Sequence, residues 1–393
     1  MKSVKVLMLG WELPPYNSGG LGEACFGLAR AMSQKGVGIT FVLPKKVDLN
    51  IDFMNVVFAN VDEEFSKLQS SYTTSQLWSK SVNFDDFPPD FVRAALKFGD
   101  KLEKIAKKYP GDIVHSHDWM TGPAGMVAKR ALKKPLVSHI HSTEIDRTGG
   151  NSPNPYVYKI EKEEMQNSDR VISVSHYTKN LITNYYSINP AKISVVHNGI
   201  DAGKKDLVPA LPELKKLGYK IVLFLGRITL MKGPEYFVNA AQKVLAYNPK
   251  TIFLVVGSGD MQEFMMTEAA RLGVIDKFLF TGFLRGDEKN RIYQSADLYV
   301  MPSVSEPFGI TALESVVNGT PVLISKQSGA SEVFSHVLKV DFWDTDEMAN
   351  EILAVLKHQA LPAVLKEESG KEVKNYNWSK AADSVLKVYN ELV

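Results

Sequence analysis

The chain has 393 residues, 45% of them hydrophobic and 23% charged, with a net charge of +2. That length exceeds the size at which a single core keeps growing, so two globular domains are expected. The near-neutral balance, with no dominant run of Lys and Arg, argues against a nucleic-acid or other polyanion binder. The one cysteine, Cys25, excludes an intrachain disulfide framework and points to a reducing, cytoplasmic compartment.

The first ten residues hold an apolar run too short for a secretory leader, and no apolar stretch reaches the roughly 18 residues of a bilayer span. The expectation is a soluble protein, with peripheral membrane contact left open. Short apolar runs then alternate with helical-period segments along the whole chain. Strands are predicted at 4–9, 39–43, 112–115, 136–140, 171–174 and 193–196, and again at 221–225, 252–256, 278–280, 298–301, 322–324 and 337–340. Two such sets predict an α/β protein with two doubly wound parallel-sheet domains. The polar stretch 202–218 reads as the linker. This gives domains over 1–203 and 204–375, followed by a closing helical segment over about 376–393. Residues 62–90 fit neither pattern: they carry Tyr72, Trp78, Phe84 and Phe87 among Ser, Thr, Asn and Asp. They suit either a stacking and hydrogen-bonding surface or a covering loop with buried aromatics.

Several motifs fall where predicted strands end. Asn17-Ser18-Gly19-Gly20-Leu21-Gly22-Glu23 follows the first strand and opens a helix with Ala24, Cys25, Leu28, Ala29 and Met32 on one face. Adjacent glycines there either let backbone amides approach a phosphate or simply make a tight turn. The spacing is not a dinucleotide fingerprint and carries no Walker lysine. Two histidine pairs follow further strands, in His115-Ser116-His117-Asp118-Trp119 and in His139-Ile140-His141-Ser142-Thr143-Glu144. Strand alternation puts each pair on one face, where it either faces a ligand or packs, and no metal site is expected from it.

Gly226-Arg227 and Lys232-Gly233 follow the strand at 221–225, where doubly wound folds bind ligands. A planar Arg fork and a compact Lys charge together suit a diphosphate. Gly257-Ser258-Gly259-Asp260 follows the next strand, but Gln262 stands where a dinucleotide loop needs its third glycine, and a turn is the simpler reading. Near the C-terminus, Glu306-Pro307-Phe308-Gly309-Ile310-Thr311 leads from a strand into a helix carrying Glu314. Two carboxylates around a helix N-terminus are placed to hold different parts of one polar ligand while amides face an anion.

With these pieces in this order, the chain resembles the retaining nucleotide-sugar glycosyltransferases of the GT-B type, in particular family 4 glycosyltransferases and the neighbouring glycogen and starch synthases. The resemblance covers nearly the full length, and it implies two Rossmann-like domains facing across a cleft. The N-terminal domain, with the last helix crossing back onto it, would bind the acceptor, and the C-terminal domain the nucleotide sugar. By the same resemblance, His141, Arg227, Lys232 and Glu306 would be catalytic. Gly20, Asn198, Gly257, Phe308, Gly309, Ile310, Thr311 and Glu314 would bind the donor, and His117 and Asp118 the acceptor. A hexose, glucose above all, would pass from a UDP- or ADP-glucose type donor to an α-glucan, or alternatively to a lipid or small-molecule acceptor. Preorganised cations and amides stabilise a departing diphosphate without help, so neither metal nor cofactor is expected. Two departures bear on the acceptor rather than the donor half: Asn17-Ser18 where glycogen synthases have a lysine, and a single glycine in Ser328-Gly329-Ala330-Ser331-Glu332.

Overall fold

The computed structural model describes residues 4–17, 19–61, 90–203 and 207–393. Ser18 and the aromatic-bearing stretch 62–89 lie outside the described residues. The chain divides into two compact units, Met1–Gly199 with Asn377–Val393, and Ile200–Tyr376.

The first unit is built on a seven-stranded parallel sheet in the order β3-β2-β1-β4-β5-β6-β7. Its strands are β1 Lys5–Leu9, β2 Gly38–Leu43, β3 Asn55–Phe58, β4 Ile113–His117, β5 Leu136–Ile140, β6 Arg170–Ser173 and β7 Ile193–Val195. The sequence predicts six strands here, and β3 is the addition. It is four residues long, half-buried and at the sheet edge, so it lacks both the length and the apolar run of a central strand. Leu7, Leu9, Val114 and Leu136 pack against Phe98, Leu102 and Ala106 of the helix Asp90–Lys108. The helix Gly20–Gln34 buries Ala24, Cys25, Leu28, Ala29 and Met32. The C-terminal helix Trp378–Asn390 belongs to this unit, with Lys35 and Asp383 paired at 2.8 Å. Where the chain returns, a Cβ on Gly199 would stand 2.3 Å from the Trp378 nitrogen, so only glycine permits this approach.

The second unit carries a six-stranded parallel sheet in the order β10-β9-β8-β11-β12-β13. Its strands are β8 Lys220–Leu225, β9 Thr251–Val256, β10 Phe278–Gly282, β11 Leu298–Met301, β12 Val322–Ser325 and β13 Leu338–Val340. Phe237, Phe253 and Phe278 meet in its core, the last two stacked 5.4 Å apart. A short helix, Pro212–Lys216, lies within the stretch read as linker.

Both sheets reverse their strand order at a central strand. β1 is flanked by β2 and β4, and β8 by β9 and β11. Loops leaving the carboxyl ends of such neighbours run to opposite faces and open a space for ligand between them. In the first unit these loops carry the glycine motif and Asp118; in the second they carry Arg227 with Lys232, and Glu306. Among the described residues no helix is long and apolar enough to cross a membrane.

Candidate active site

In the second unit, the loop after β8 ends in a 3-10 turn, Leu230–Lys232. The loop after β11 is tied to it, with Val304 and Ser305 donating to the Met231 carbonyl at 2.9 and 3.3 Å. A parallel bridge fixes the same loop on its other side: the Glu306 N–H donates to Gln327 O, and the Gly329 N–H to Glu306 O. These ties bring Lys232 Nζ onto Glu306 Oε2, which also accepts from Ser303 Oγ at 3.1 Å. The Glu306 side chain is 7% exposed and that of Lys232 18%, so the pair is only partly screened by solvent. Beneath it, Phe224, Tyr299, Met301 and Pro302 line a small pocket. Arg227 stands half-buried in the same loop as Lys232.

The helix Ile310–Val317 starts after Gly309 with no side chain capping it. Phe308 is buried behind its first turn, and Thr311 Oγ1 accepts from the Tyr299 hydroxyl at 2.8 Å. Glu314 lies on the second turn. Its Oε1 is 2.6 Å from Lys289 Nζ and its Oε2 3.0 Å from the Tyr293 hydroxyl. Lys289 and Tyr293 were not singled out from the sequence. Their only signal is i,i+4 spacing on one face of the helix Gly286–Ser295. Gly257 serves the backbone: with φ of 133° it lies so close to Gly226 that a Cβ would stand 1.9 Å from its carbonyl oxygen. This matches the turn that the sequence favours there.

In the first unit, Gly20 is exposed at the start of its helix. Asn17 folds over the loop, donating to Gly19 O at 3.0 Å and lying 3.3 Å from Glu23 Oε1. Asn198 is buried just before the chain leaves the unit. The ends of β4 and β5 bring four imidazoles together. His115 stacks on His117 at 4.4 Å and His139 on His141 at 4.3 Å, with His117 opposite His139 in the strand register. His117 Nδ1 lies 2.9 Å from His141 Nε2, and His115 Nδ1 lies 2.5 Å from the Tyr389 hydroxyl of the C-terminal helix. Burial pulls His115 and His141 down to about 3 and holds His117 and His139 well below the usual range. All four rings are therefore neutral at physiological pH.

Ring nitrogens of His115, His117 and His139 fall within 4.8 Å of one another, as do ligand atoms of Cys25, His117 and His141. In the first group the rings are inclined by only 10–30° to one another, so their lone pairs run along near-parallel planes instead of meeting at one point. A tetrahedral metal at about 2.1 Å from each nitrogen would require the rings to turn.

Asp118 has φ of 60°, uncommon for a residue with a side chain. It is buried, and its Oδ1 accepts from the His141 and Ser142 N–H groups at 2.6 and 3.2 Å. The following loop is held by further buried polar groups, of which Asp146, Arg147, Glu161, Glu164 and Tyr186 were not singled out in the sequence. Thr143 and Asp146 form a capping box on the helix Glu144–Arg147. Arg147 pairs with Glu144 and Glu161, and Tyr186 donates to Glu161. Glu164 Oε1 accepts from Ser116 at 2.6 Å and Ser138 at 2.9 Å. Burial raises Glu161 to about 7 and Glu164 to about 8.

Residues 18–204 match the family described as Glycosyltransferase Family 4, and residues 212–372 the family described as Glycosyl transferases group 1. An uncharacterised glycosyltransferase of Methanocaldococcus jannaschii is 31% identical over 98% of both chains. The glycogen synthase of Mycobacterium tuberculosis is 26% identical over 84% of this chain and 80% of its own. Among solved structures, Anabaena HepE in complex with UDP-glucose superposes with a TM-score of 0.73 at 18% identity, covering 99% of this chain and 100% of that one. The chain belongs to the family 4 glycosyltransferases, nucleotide-sugar-dependent enzymes of the two-domain GT-B type.

Proposed function

We propose that this enzyme moves glucose from a nucleoside diphosphate glucose, with retention, to an α-glucan or malto-oligosaccharide. The donor half rests on the Lys232–Glu306 pair at the β8–β11 switch point, with Arg227 half-buried in the same loop as Lys232, beside an uncapped helix start. Arg227 and Lys232 bind the diphosphate and offset the charge it gains on leaving. The amides from Phe308 to Thr311 complete the anion site, while the Gly257 N–H is already committed to the Gly282 carbonyl. Glu306 meets the sugar, Glu314 the ribose hydroxyls, and Asn198 the donor. In the first unit, which takes the acceptor, His141 is the residue assigned to the transferred sugar. His117 and Asp118 are buried, so their part in acceptor binding is to hold the backbone and ring at His141.

No metal or cofactor takes part in this scheme, since cations and amides stabilise the leaving group. An acceptor hydroxyl attacks on the face that the diphosphate leaves, and the diphosphate takes its proton. The glucose donor is favoured by the UDP-glucose in the HepE structure, and the glucan acceptor by the glycogen synthase relative.

A transfer screen tests this: UDP- and ADP-glucose against glucan, sugar-phosphate and lipid acceptors, with and without EDTA, with product followed by proton NMR. The expected result is an α-linked glucan product, formed at the same rate in EDTA. A β-linked product removes retention, an absolute requirement for a divalent ion removes the metal-free scheme, and transfer to the other acceptors alone removes the glucan.

A further inference from the structure

His141 lies one residue beyond β5, and its Nε2 shares a hydrogen bond with His117 Nδ1. Either nitrogen could carry the proton, but the surroundings separate the two cases. With the proton on His141 Nε2, His117 would accept at Nδ1 and hold its own proton on Nε2, an atom that is buried and without a partner. A buried N–H left unpaired is rarer and more costly than an unpaired acceptor lone pair. The lower-energy arrangement has His117 donating from Nδ1, leaving a bare lone pair on its buried Nε2. His141 then keeps its proton on Nδ1.

We propose that His117 is a positioning residue that fixes His141 as its Nδ1–H tautomer, so that His141 meets the sugar as a neutral hydrogen-bond donor and not as a base. The inference rests on the role given to His141 above. The ring of His117 cannot drift from this task. The backbone N–H of His117 donates to Thr121 Oγ1 at 2.8 Å, and its ring stacks on His115, which the Tyr389 hydroxyl holds in turn. His141 is confined as well, stacked on His139 and held through its own N–H by Asp118. Desolvation keeps the rings neutral, which supports a donor that does not depend on being charged.

The test is a long-range proton–nitrogen correlation on the full-length protein labelled with 15N-histidine, which distinguishes the two neutral tautomers. The eight histidines keep the spectrum tractable, and His141→Ala assigns the signal. The wild-type enzyme is expected to show His141 with its proton on Nδ1; finding it on Nε2 overturns the proposal without any variant needing to fold. His117→Phe keeps an aromatic ring and removes the bond. It should mix the His141 tautomers and lower kcat about tenfold, with donor KM within about twofold. His117→Asn, whose amide keeps a donor near the Nδ1 position, should recover most of the rate. An unchanged His141 signal in His117→Phe overturns the proposal. A changed signal with wild-type kcat overturns it too, and locates the failure in the role given to His141 instead of in the His117–His141 bond.

Discussion

The two sheets share a topology of parallel strands around a switch point, yet their carboxyl edges are opposite in character. In the second unit the edge is ionic: Lys232 faces Glu306, and Lys289 faces Glu314. In the first unit the same position holds four imidazoles that burial keeps neutral, with Asp118 committed to backbone amides. Partly exposed cations keep enough hydration to exchange a carboxylate for a phosphate. A desolvated neutral cluster has no net charge to offer an anion, only directed hydrogen bonds. One fold therefore presents a charged edge suited to a diphosphate and a neutral edge suited to hydroxyls.

The largest effect that breaks this contrast comes from the ionic edge. Arg227→Ala or Lys232→Ala is expected to lower kcat roughly 10²-fold or more, about 2.7 kcal/mol of transition-state stabilisation. Near-wild-type turnover of both variants at saturating donor would remove the diphosphate role. A smaller effect follows at the other ion pair. Lys289→Met leaves Glu314 without its cation and should raise donor KM roughly tenfold, about 1.4 kcal/mol, with little change in kcat. A fall in kcat at constant KM would instead place Lys289 at the reacting centre.

The smallest effect belongs to the neutral edge and is read in stability. Glu164 is raised from 4.5 to about 8 by burial, so the folded protein holds a proton that the unfolded chain has released. The stability this gives is complete below pH 4.5 and is lost as pH rises toward about 8, where both states are ionised. Glu161 adds a fall of the same sign, ending near 7. Glu164→Gln removes one of the two, so its melting temperature should fall less steeply than wild type across that window. Parallel melting curves against pH would show that Glu164 does not carry the proton.

The sequence announced most of the second unit's edge, because Glu306, Glu314, Arg227 and Lys232 each stand next to strand ends or glycines that mark loops. It did not announce their pairing. Lys289 lies 25 positions before Glu314, and only the packing of the helix Gly286–Ser295 beside Ile310–Val317 joins them. The histidine array was half legible. Alternation put His115 with His117 and His139 with His141, but the register that sets His117 against His139 is a property of two strands together. Glu161 and Glu164 carry no signal of their own, since nothing local tells a buried, hydrogen-bonded glutamate from a solvated one. β3 escaped because an edge strand of four residues carries too little apolar signal.

Titration calorimetry with UDP and ADP tests the contrast between the edges most directly, on wild type, Arg227→Ala and His141→Ala. Arg227→Ala is expected to weaken nucleoside diphosphate binding roughly tenfold or more, while His141→Ala binds within about twofold of wild type. Unchanged affinity in Arg227→Ala, with binding lost in His141→Ala, would contradict that contrast.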